Sequence, residues 1–253
     1  MSALAHFSLE GRTALVTGGS RGIGRAIALS LADAGADIVL GVRDGNGTET
    51  RSALADLGRL AGTIDVDLAD PSATRAAATQ LANERTIDIL VNNAGHISRG
   101  PSLDVTPEEW ASVVDVNLTA AFLLSQAIGA GMVERGRGKI INVASLLSFQ
   151  GGIGVASYAA SKHGVQGLTR ALSNEWAASG VQVNAIAPGY IATDNTAPLR
   201  SDEARASEIL GRIPSGRWGE ASDIGGAAIF LASSASDYVT GHTLVVDGGW
   251  MAR

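Results

Sequence analysis

A tyrosine and a lysine four residues apart, Tyr158 and Lys162, are the side chains in this sequence best suited to proton transfer. On a helix, residues four apart share a face, so the lysine ammonium would lie near the phenol. An unperturbed tyrosine is a poor base at neutral pH, but an adjacent cation favours its phenolate. The pair could therefore exchange a proton with an alcohol or a carbonyl, although the same spacing also occurs by chance in helices where both residues only pack or face solvent.

Two further polar residues precede this pair. Ser145 closes a predicted strand at the carboxyl edge, where open α/β sheets place ligands, and its hydroxyl could bind the reacting oxygen. Asn117 lies inside a long predicted helix, where asparagine is not favoured, so we interpret it as having a local role such as holding a water beside Lys162. The candidate catalytic residues are Asn117, Ser145, Tyr158 and Lys162.

A glycine-rich turn joins the first predicted strand to a helix over residues 17–24. Glycine lets backbone N–H groups approach a phosphate, and the free amides and dipole of a helix N-terminus also attract anions. The spacing Gly-x-x-x-Gly-x-Gly differs from the Gly-x-Gly-x-x-Gly of many dinucleotide folds. The turn predicts a dinucleotide site formed by Gly18, Ser20, Arg21, Gly22, Ile23 and Gly24.

Three other interpretations of this turn stay open. Residues 18–22 match the nucleophile elbow of α/β-hydrolases, with Ser20 as nucleophile and Asp194 and His242 as candidate partners, although the motif comes early in the chain for that fold. Residues 19–24 have P-loop spacing, but they are not followed by the lysine and hydroxyl residue that bind phosphate and magnesium. The glycines could also simply shape a turn.

The end of the second predicted strand indicates which dinucleotide binds. In such folds an acidic residue there receives the ribose 2′-hydroxyl of NAD, whereas a basic residue suits the NADP phosphate. Val42 and Arg43 stand at this point and Arg21 lies in the glycine turn, so the sequence favours NADP. Asp44 keeps NAD open as an alternative. Asp67, after the third strand, could accept a hydrogen bond from the adenine amino group or cap the chain locally.

Composition narrows the class of protein. The chain has 253 residues, 45% of them hydrophobic, a net charge of −6 and no cysteine. The acidic balance disfavours nucleic-acid binding, no window has the roughly 18 consecutive apolar residues of a membrane span, and disulfides or thiolate chemistry are excluded. Thirty-two glycines without a period-three repeat require many turns or close approaches. We expect a cytoplasmic enzyme with a small-molecule substrate.

Short β-branched runs alternate with alanine- and leucine-rich helical stretches, which is the pattern of βαβ units around a parallel sheet. Strands are predicted at 13–17, 37–42, 62–66, 88–92, 139–143, 181–187 and 243–246. Helices are predicted at 23–34, 48–57, 72–84, 107–134, 156–179, 202–212 and 221–233. No linker divides the chain, so we predict a single Rossmann-like doubly wound α/β domain over 1–253, of about seven strands, with a mobile substrate cover at about 190–217.

Several features together resemble the short-chain dehydrogenase/reductase family over essentially the whole chain: the glycine turn, residues 92–95, Asn117, Ser145 and the Tyr158/Lys162 pair. The resemblance implies metal-free hydride transfer between NAD(P) and a secondary alcohol or ketone. Tyr158 would be the general acid or base, and Lys162 would bind the nicotinamide ribose and lower the tyrosine pKa. Ser145 would position the substrate oxygen, and Asn117 would act through a relay water. Cofactor contacts are also implied for Asn93, Ala94, Gly95, Pro188, Gly189, Ile191 and Thr193.

Four segments, 148–152, 187–196, 212–219 and 246–253, are similar to the sugar-acid dehydrogenases of that family, which act on gluconate or 2-keto-3-deoxygluconate. Such substrates carry a carboxylate, so a cationic anchor is expected. The candidate substrate contacts are Ser145, Gln150, Arg99, Arg200 and Arg217. A neutral polyol or a 3-oxoacyl substrate is the alternative within the family. Family members are usually tetramers, which implies a homotetramer.

Overall fold

The computed structural model describes residues 3–253. Within this range the parallel strands form one sheet: β1 Thr13–Thr17, β2 Asp37–Val42, β3 Leu60–Asp65, β4 Ile89–Asn92, β5 Gly138–Val143, β6 Val181–Pro188 and β7 Thr243–Val246. The strand order is β3-β2-β1-β4-β5-β6-β7, so the direction of winding reverses between β1 and β4. In open α/β sheets, ligands bind outside the carboxyl ends of the strands at such a reversal. The predicted Rossmann-like doubly wound sheet is confirmed.

The α-helices that flank the sheet are α1 Gly22–Asp33, α2 Thr48–Asp56, α3 Pro71–Glu84, α4 Pro107–Val114, α5 Ala120–Arg135, α6 Ala156–Trp176, α7 Ala197–Ser201, α8 Glu203–Arg212 and α9 Gly225–Ala232. Two of them begin with a capping side chain followed by proline. Asp70 accepts hydrogen bonds from the N–H groups at the start of α3, and Thr106 forms a reciprocal capping box with Glu109 in α4. Both helix starts can be recognised in the sequence from the capping residue followed by proline.

Two hydrophobic layers cover the two faces of the sheet. One joins the strands to α1 and α9 through residues such as Leu31, Ile89 and Leu231, all almost fully buried. The other joins them to α3, α5 and α6 through residues such as Leu124 and Ile140. The inner strands are therefore mainly apolar, as expected for parallel strands covered on both sides, with buried asparagines at Asn92, Asn142 and Asn184 as exceptions. This packing fixes the carboxyl edge, where the candidate site residues lie.

The helix from Pro107 to Arg135 is continuous through a π-helical turn at Asp115–Thr119. Its most apolar 18-residue window has a mean hydropathy of 1.5, so by length and composition alone it could cross a membrane. Half of that window is buried, and the helix packs against α3 and α6. We interpret it as a packed helix of the domain, with an apolar outer side.

Besides shifts of a few residues at the ends of other elements, three features differ from the sequence prediction. β3 begins two residues before the predicted position because a register shift against β2 leaves Ala61 between the residues paired with Ile38 and Val39. The helix predicted from 221 starts as a 3₁₀ turn, Ala221–Ile224, before α9. The segment 190–217 contains α7 and α8, of which α7 was not predicted. That this segment moves as a cover stays a prediction.

Candidate active site

Hydrogen bonds join the turn after β1 to the turn after β4. The Thr17 hydroxyl oxygen accepts from the backbone N–H groups of Asn93 and Ala94, both at 3.1 Å. The Asn93 side chain donates to the carbonyls of Thr17 and Gly18 at 2.9 and 3.2 Å. These two loops lie on either side of the winding reversal, so they form one wall of the site expected there.

The glycine turn borders the crevice expected at the winding reversal, here called the groove, and packs too closely against neighbouring backbone to hold side chains at two positions. A Cβ at Gly24 would lie 2.2 Å from the Gly18 carbonyl oxygen, and one at Gly18 would lie 2.9 Å from the Ala94 Cα. Gly18 and Gly22 also have φ of +62° and +55°, which other residues rarely adopt. No side chain caps the N-terminus of α1, where Arg21 is the cap residue, so its first amides face the groove without a side-chain partner. This arrangement fits a pyrophosphate.

Two arginines lie at the rim of this groove, each next to an exposed acid. Arg21 pairs with Asp194 at 3.0 Å, and Arg43 pairs with Asp44 at 3.4 Å. Exposed pairs of this kind contribute little, so a phosphate could replace either acid as partner. Asp67 accepts from the N–H of the second residue after it, Ala69, at 3.0 Å, which is the local capping role, and its adenine contact stays a prediction.

The predicted proton-transfer pair comes together as expected. Tyr158 and Lys162 both lie in the first two turns of α6, and the lysine Nζ is 5.7 Å from the centroid of the tyrosine ring. Lys162 is 3% exposed and donates to the Val143 carbonyl at the end of β5, at 2.6 Å. Gly95 approaches from the other side, since a Cβ there would lie 3.8 Å from Nζ. The lysine therefore lies between the ends of β4 and β5.

Burial has opposite effects on the pKa values of the two groups. It raises the pKa of Tyr158, whereas a hydrogen bond with the Ser145 hydroxyl and the charge of Arg99 lower it. Burial lowers the pKa of Lys162 to about 8. In the structure, Ser145 and Arg99 are the groups that favour the Tyr158 phenolate, while the expected contribution of Lys162 to the tyrosine pKa stays a prediction.

Ser145 is held by a serine that the sequence reasoning missed. Ser145 caps the 3₁₀ turn Leu146–Ser148, its hydroxyl accepting from the Leu147 N–H at 3.1 Å. Ser148 is almost fully buried; its hydroxyl accepts from the Ser145 N–H at 3.3 Å and donates to the Lys162 carbonyl at 2.7 Å. The signal in the sequence is a second hydroxyl residue three positions after Ser145, as in a capping box. Ser148 thus joins the strand end that carries Ser145 to the helix that carries Lys162.

Asn117 lies within the π-helical turn, a distortion that is frequent at functional sites. Its side-chain oxygen accepts from the His96 N–H at 2.7 Å, and its amide nitrogen donates to the His96 carbonyl and to the Ser161 hydroxyl, both at 2.9 Å. Both ends of the amide are therefore occupied by protein groups. The side chain fixes the loop after β4 against α6, and the relay water expected at this residue stays a prediction.

The segment after β6 returns to the glycine turn. Gly189 donates its N–H to the Val246 carbonyl at 2.9 Å, and a Cβ there would lie 2.6 Å from the Asp247 Cα. The Thr193 methyl is 3.5 Å from the position that a Cβ of Gly22 would occupy. Of the predicted nicotinamide contacts, Thr193 therefore lies next to the glycine turn, while Pro188, Gly189 and Ile191 belong to the segment that leads to it from β6.

The structure separates the three arginines proposed as carboxylate anchors. Arg217 forms two hydrogen bonds with Asp223, at 2.7 and 2.9 Å, and this pairing lowers the pKa of Asp223 to about 2. Arg99 and Arg200 instead donate to backbone carbonyls in the segment 193–195, at 3.0 and 3.2 Å. Only Arg99 acts electrostatically on the Tyr158 phenol. Arg217 is therefore engaged by a neighbouring carboxylate, and an anchoring role for Arg99, whose charge acts on the phenol, stays a prediction.

The hydrolase interpretation of Ser20 does not match the geometry. Ser20 follows β1 at the carboxyl edge, whereas His242 precedes β7 at the opposite edge, with its N–H bound to Asn184 at 3.0 Å. The length of a four-residue strand, roughly 13 Å, separates the two edges. Asp194, the candidate acid, pairs with Arg21 instead. The residues therefore do not form a nucleophile, base and acid set.

A parallel sheet with a glycine cradle and a serine, tyrosine and lysine at its carboxyl edge defines a dinucleotide-dependent oxidoreductase. A family model described as enoyl-(acyl carrier protein) reductase matches residues 18–251. The 2-dehydro-3-deoxy-D-gluconate 5-dehydrogenase of Bacillus subtilis is 57% identical over 98% of this chain and 97% of that protein.

Two further relatives give the same result. The gluconate 5-dehydrogenase of Burkholderia cenocepacia, crystallised with NADP and tartrate, superposes with a TM-score of 0.93 at 41% identity and covers 100% of both chains. The 3-oxoacyl-(acyl-carrier-protein) reductase of Vibrio cholerae is 41% identical over 96% of this chain and 98% of that protein. The chain belongs to the short-chain dehydrogenase/reductase family and is an NAD(P)-dependent oxidoreductase.

Proposed function

We propose that this enzyme transfers a hydride between NADP and a secondary hydroxyl or ketone of a sugar acid of the gluconate or 2-keto-3-deoxygluconate type. The observation that carries the proposal is the position of Arg99 in the loop after β4, where it donates to the Asn195 carbonyl and its charge lowers the pKa of Tyr158, because an acidic substrate needs a positive partner near its reacting carbon. The 57% identity to a 2-dehydro-3-deoxy-D-gluconate 5-dehydrogenase supports it, as does the lower 41% identity to a 3-oxoacyl reductase.

The residues of the groove fit a dinucleotide. Gly18, Gly22 and Gly24 give the turn a backbone path that other residues could not follow without strain or collision, and the uncapped N-terminus of α1 offers N–H donors to a pyrophosphate. Lys162 is a buried cation whose hydrogen bond is to a backbone carbonyl, so it can also bind ribose hydroxyls. When bound, the nicotinamide accepts or supplies the hydride. Arg21 and Arg43 at the rim favour NADP over NAD.

The side chains of this protein handle the proton. Burial raises the pKa of Tyr158, so its hydroxyl carries a proton at neutral pH and can donate it to the oxygen of a ketone undergoing reduction. The Ser145 hydroxyl, whose interaction with the phenol lowers the Tyr158 pKa, can position the same oxygen. In the oxidation direction Tyr158 must first lose its proton, which Ser145 and Arg99 favour. Oxidation is therefore expected to accelerate as pH rises.

An absorbance assay at about 340 nm tests the proposal with NAD and NADP against gluconate, 2-keto-3-deoxygluconate, a neutral polyol and a neutral ketone. We expect Arg99→Ala to raise KM for the acids about tenfold or more and to leave KM for the neutral substrates unchanged, because one charge-assisted contact is lost, while the higher Tyr158 pKa slows the oxidation of both kinds of substrate. Arg217→Ala is the matched control, since Asp223 holds that guanidinium. No turnover of any acid by the wild-type enzyme would refute the substrate class.

We also propose a homotetramer in the cytoplasm. Support for assembly comes from the outer side of the helix 107–135, where Trp110 and Phe122 stay 43% and 38% exposed. The cytoplasmic assignment is supported by the lack of cysteine. Light scattering after size-exclusion chromatography measures the mass, and we expect Trp110→Glu to lower it; an unchanged monomer mass in both proteins would refute the tetramer. Activity recovered outside the cytoplasmic fraction of cells would contradict the location.

A further inference from the structure

The indole of Trp250 connects three parts of the site wall. Trp250 is 5% exposed and begins the 3₁₀ turn that follows β7. Its Nε1–H donates to the Gln150 side-chain oxygen at 3.3 Å. The guanidinium of Arg212, at the end of α8, lies over the same ring at 3.9 Å, and the Tyr190 ring packs against it at 4.6 Å between centroids. The substrate-side loop after β5, the cover segment and the end of β6 thus meet on one side chain.

The turn that carries Trp250 is held rigidly. The Asp247 carboxylate accepts hydrogen bonds from the backbone N–H groups of Gly249 and Met251, at 2.8 and 2.7 Å. Gly249 has a φ of +95°, and a Cβ there would lie 2.9 Å from Pro214, at the end of the cover segment. The backbone position of Trp250 is therefore fixed both by the hydrogen bonds of Asp247 within the turn and by the packing of Gly249 against the cover segment.

The donor on Trp250 decides which way the Gln150 amide points. An indole N–H can only donate, so the carbonyl oxygen of the amide must face it. The NH₂ group then faces away from Trp250, and among residues 3–253 the Gln150 side chain makes no second hydrogen bond. Gln150 is partly exposed and lies five residues after Ser145. The amide therefore turns its two N–H donors, and not its oxygen, away from Trp250, on the loop that follows Ser145.

We propose that Trp250 is a positioning residue that fixes Gln150 as a donor to the carboxylate or hydroxyl oxygens of the substrate. The inference rests on the proposed function, since a sugar acid presents such oxygens and an apolar ketone does not. Without the indole N–H, the amide can rotate and present its oxygen to the substrate in part of the population. Substrate affinity then falls, while the dinucleotide groove and the Ser145, Tyr158 and Lys162 set are unchanged.

A double-mutant cycle tests the coupling on whichever substrate of the panel the wild-type enzyme turns over best. Trp250→Phe keeps an aromatic ring for Arg212 and Tyr190 but removes the N–H. We expect it to raise KM about fivefold, the worth of one neutral hydrogen bond, with kcat within about twofold and NADPH binding unchanged. Gln150→Met, nearly isosteric, should do the same, and the double variant should match Gln150→Met alone.

A charged replacement adds a second readout. Gln150→Glu keeps an acceptor for Trp250 but turns an anionic oxygen toward the substrate, so KM for an acid should rise more than KM for a neutral polyol. Additive effects of Trp250→Phe and Gln150→Met, or an unchanged KM in both, would overturn the proposal even if sugar acids are turned over. Wild-type turnover of a neutral substrate only would refute the proposed function, and the cycle on that substrate would still test the coupling.

Discussion

Replacing Lys162 by methionine should abolish activity and, at neutral pH, stabilise the fold. The lysine is 3% exposed, its Nζ donates to a backbone carbonyl, and among residues 3–253 it forms no ion pair. Methionine keeps the length of the stem without the charge. The buried charge is thus a stability cost retained for function, as is common at active sites.

The pKa of Lys162 determines the size of the expected change in stability. A fall from the ordinary value of 10.5 to about 8 means that the charged form costs the folded protein about 3 kcal/mol. The Val143 carbonyl loses its donor in the variant, which costs about 1–2 kcal/mol. Lys162→Met should therefore raise the free energy of unfolding by about 1–2 kcal/mol at pH 7.

The pH dependence gives the sharper test. Because the folded-state pKa lies below that of the unfolded chain, the folded protein binds fewer protons between pH 8 and 10.5, and the stability of the wild-type protein rises with pH there. Between pH 7 and 9, the free energy of unfolding of the wild-type protein should rise by about 1 kcal/mol relative to that of the variant. Urea unfolding of both proteins at several pH values measures this gain. If the difference in unfolding free energy between the two proteins does not vary with pH, the conclusion that burial lowers the pKa of Lys162 is wrong.

Two further substitutions test the cradle and the loop after β4. Gly24→Ala should weaken NADPH binding at least tenfold and destabilise the fold by about 1–3 kcal/mol, because its Cβ would meet the Gly18 carbonyl; NADPH fluorescence and thermal unfolding measure both. Gly226→Ala, on the open surface of α9, is the control and should stabilise by about 0.5–1 kcal/mol; similar losses in both would contradict the steric account. Asn117→Ala frees the His96 backbone and should lower kcat about tenfold with a smaller effect on NADPH affinity, and unchanged kinetics would show that the loop holds without it.

Local signals predict most of the fold. β1, β2 and β7 have the predicted bounds, because apolar runs between turn residues define buried parallel strands. The bulge that starts β3 early depends on pairing with β2, a contact between distant segments that no local pattern reports. The π-helical turn around Asn117 is a distortion of hydrogen bonding within a helix, and the apolar periodicity of that helix continues through it. Propensity indicated only that Asn117 needed a special role.

The candidate site could be predicted from the sequence where local spacing alone determines which side chains lie together. Tyr158 and Lys162 share a helical face whatever the tertiary structure, so their proximity follows from spacing. The spacing of the arginines carries no such information, because a nearby carboxylate binds Arg217 and only the folded loop brings the charge of Arg99 to act on Tyr158. The bond between Trp250 and Gln150 joins residues 100 apart, so it too required the structure.

The hydrogen bonds between Thr17 and Asn93 have a consequence for how the chain folds. They span 76 residues, so the dinucleotide cradle is complete only after β4 has inserted beside β1. Contacts of such sequence separation form slowly, because the entropy of closing the intervening loop is lost before pairing compensates for it. A dinucleotide that binds only the finished cradle would then stabilise the native state by mass action and suppress the partly folded forms in which the edge of β1 is open.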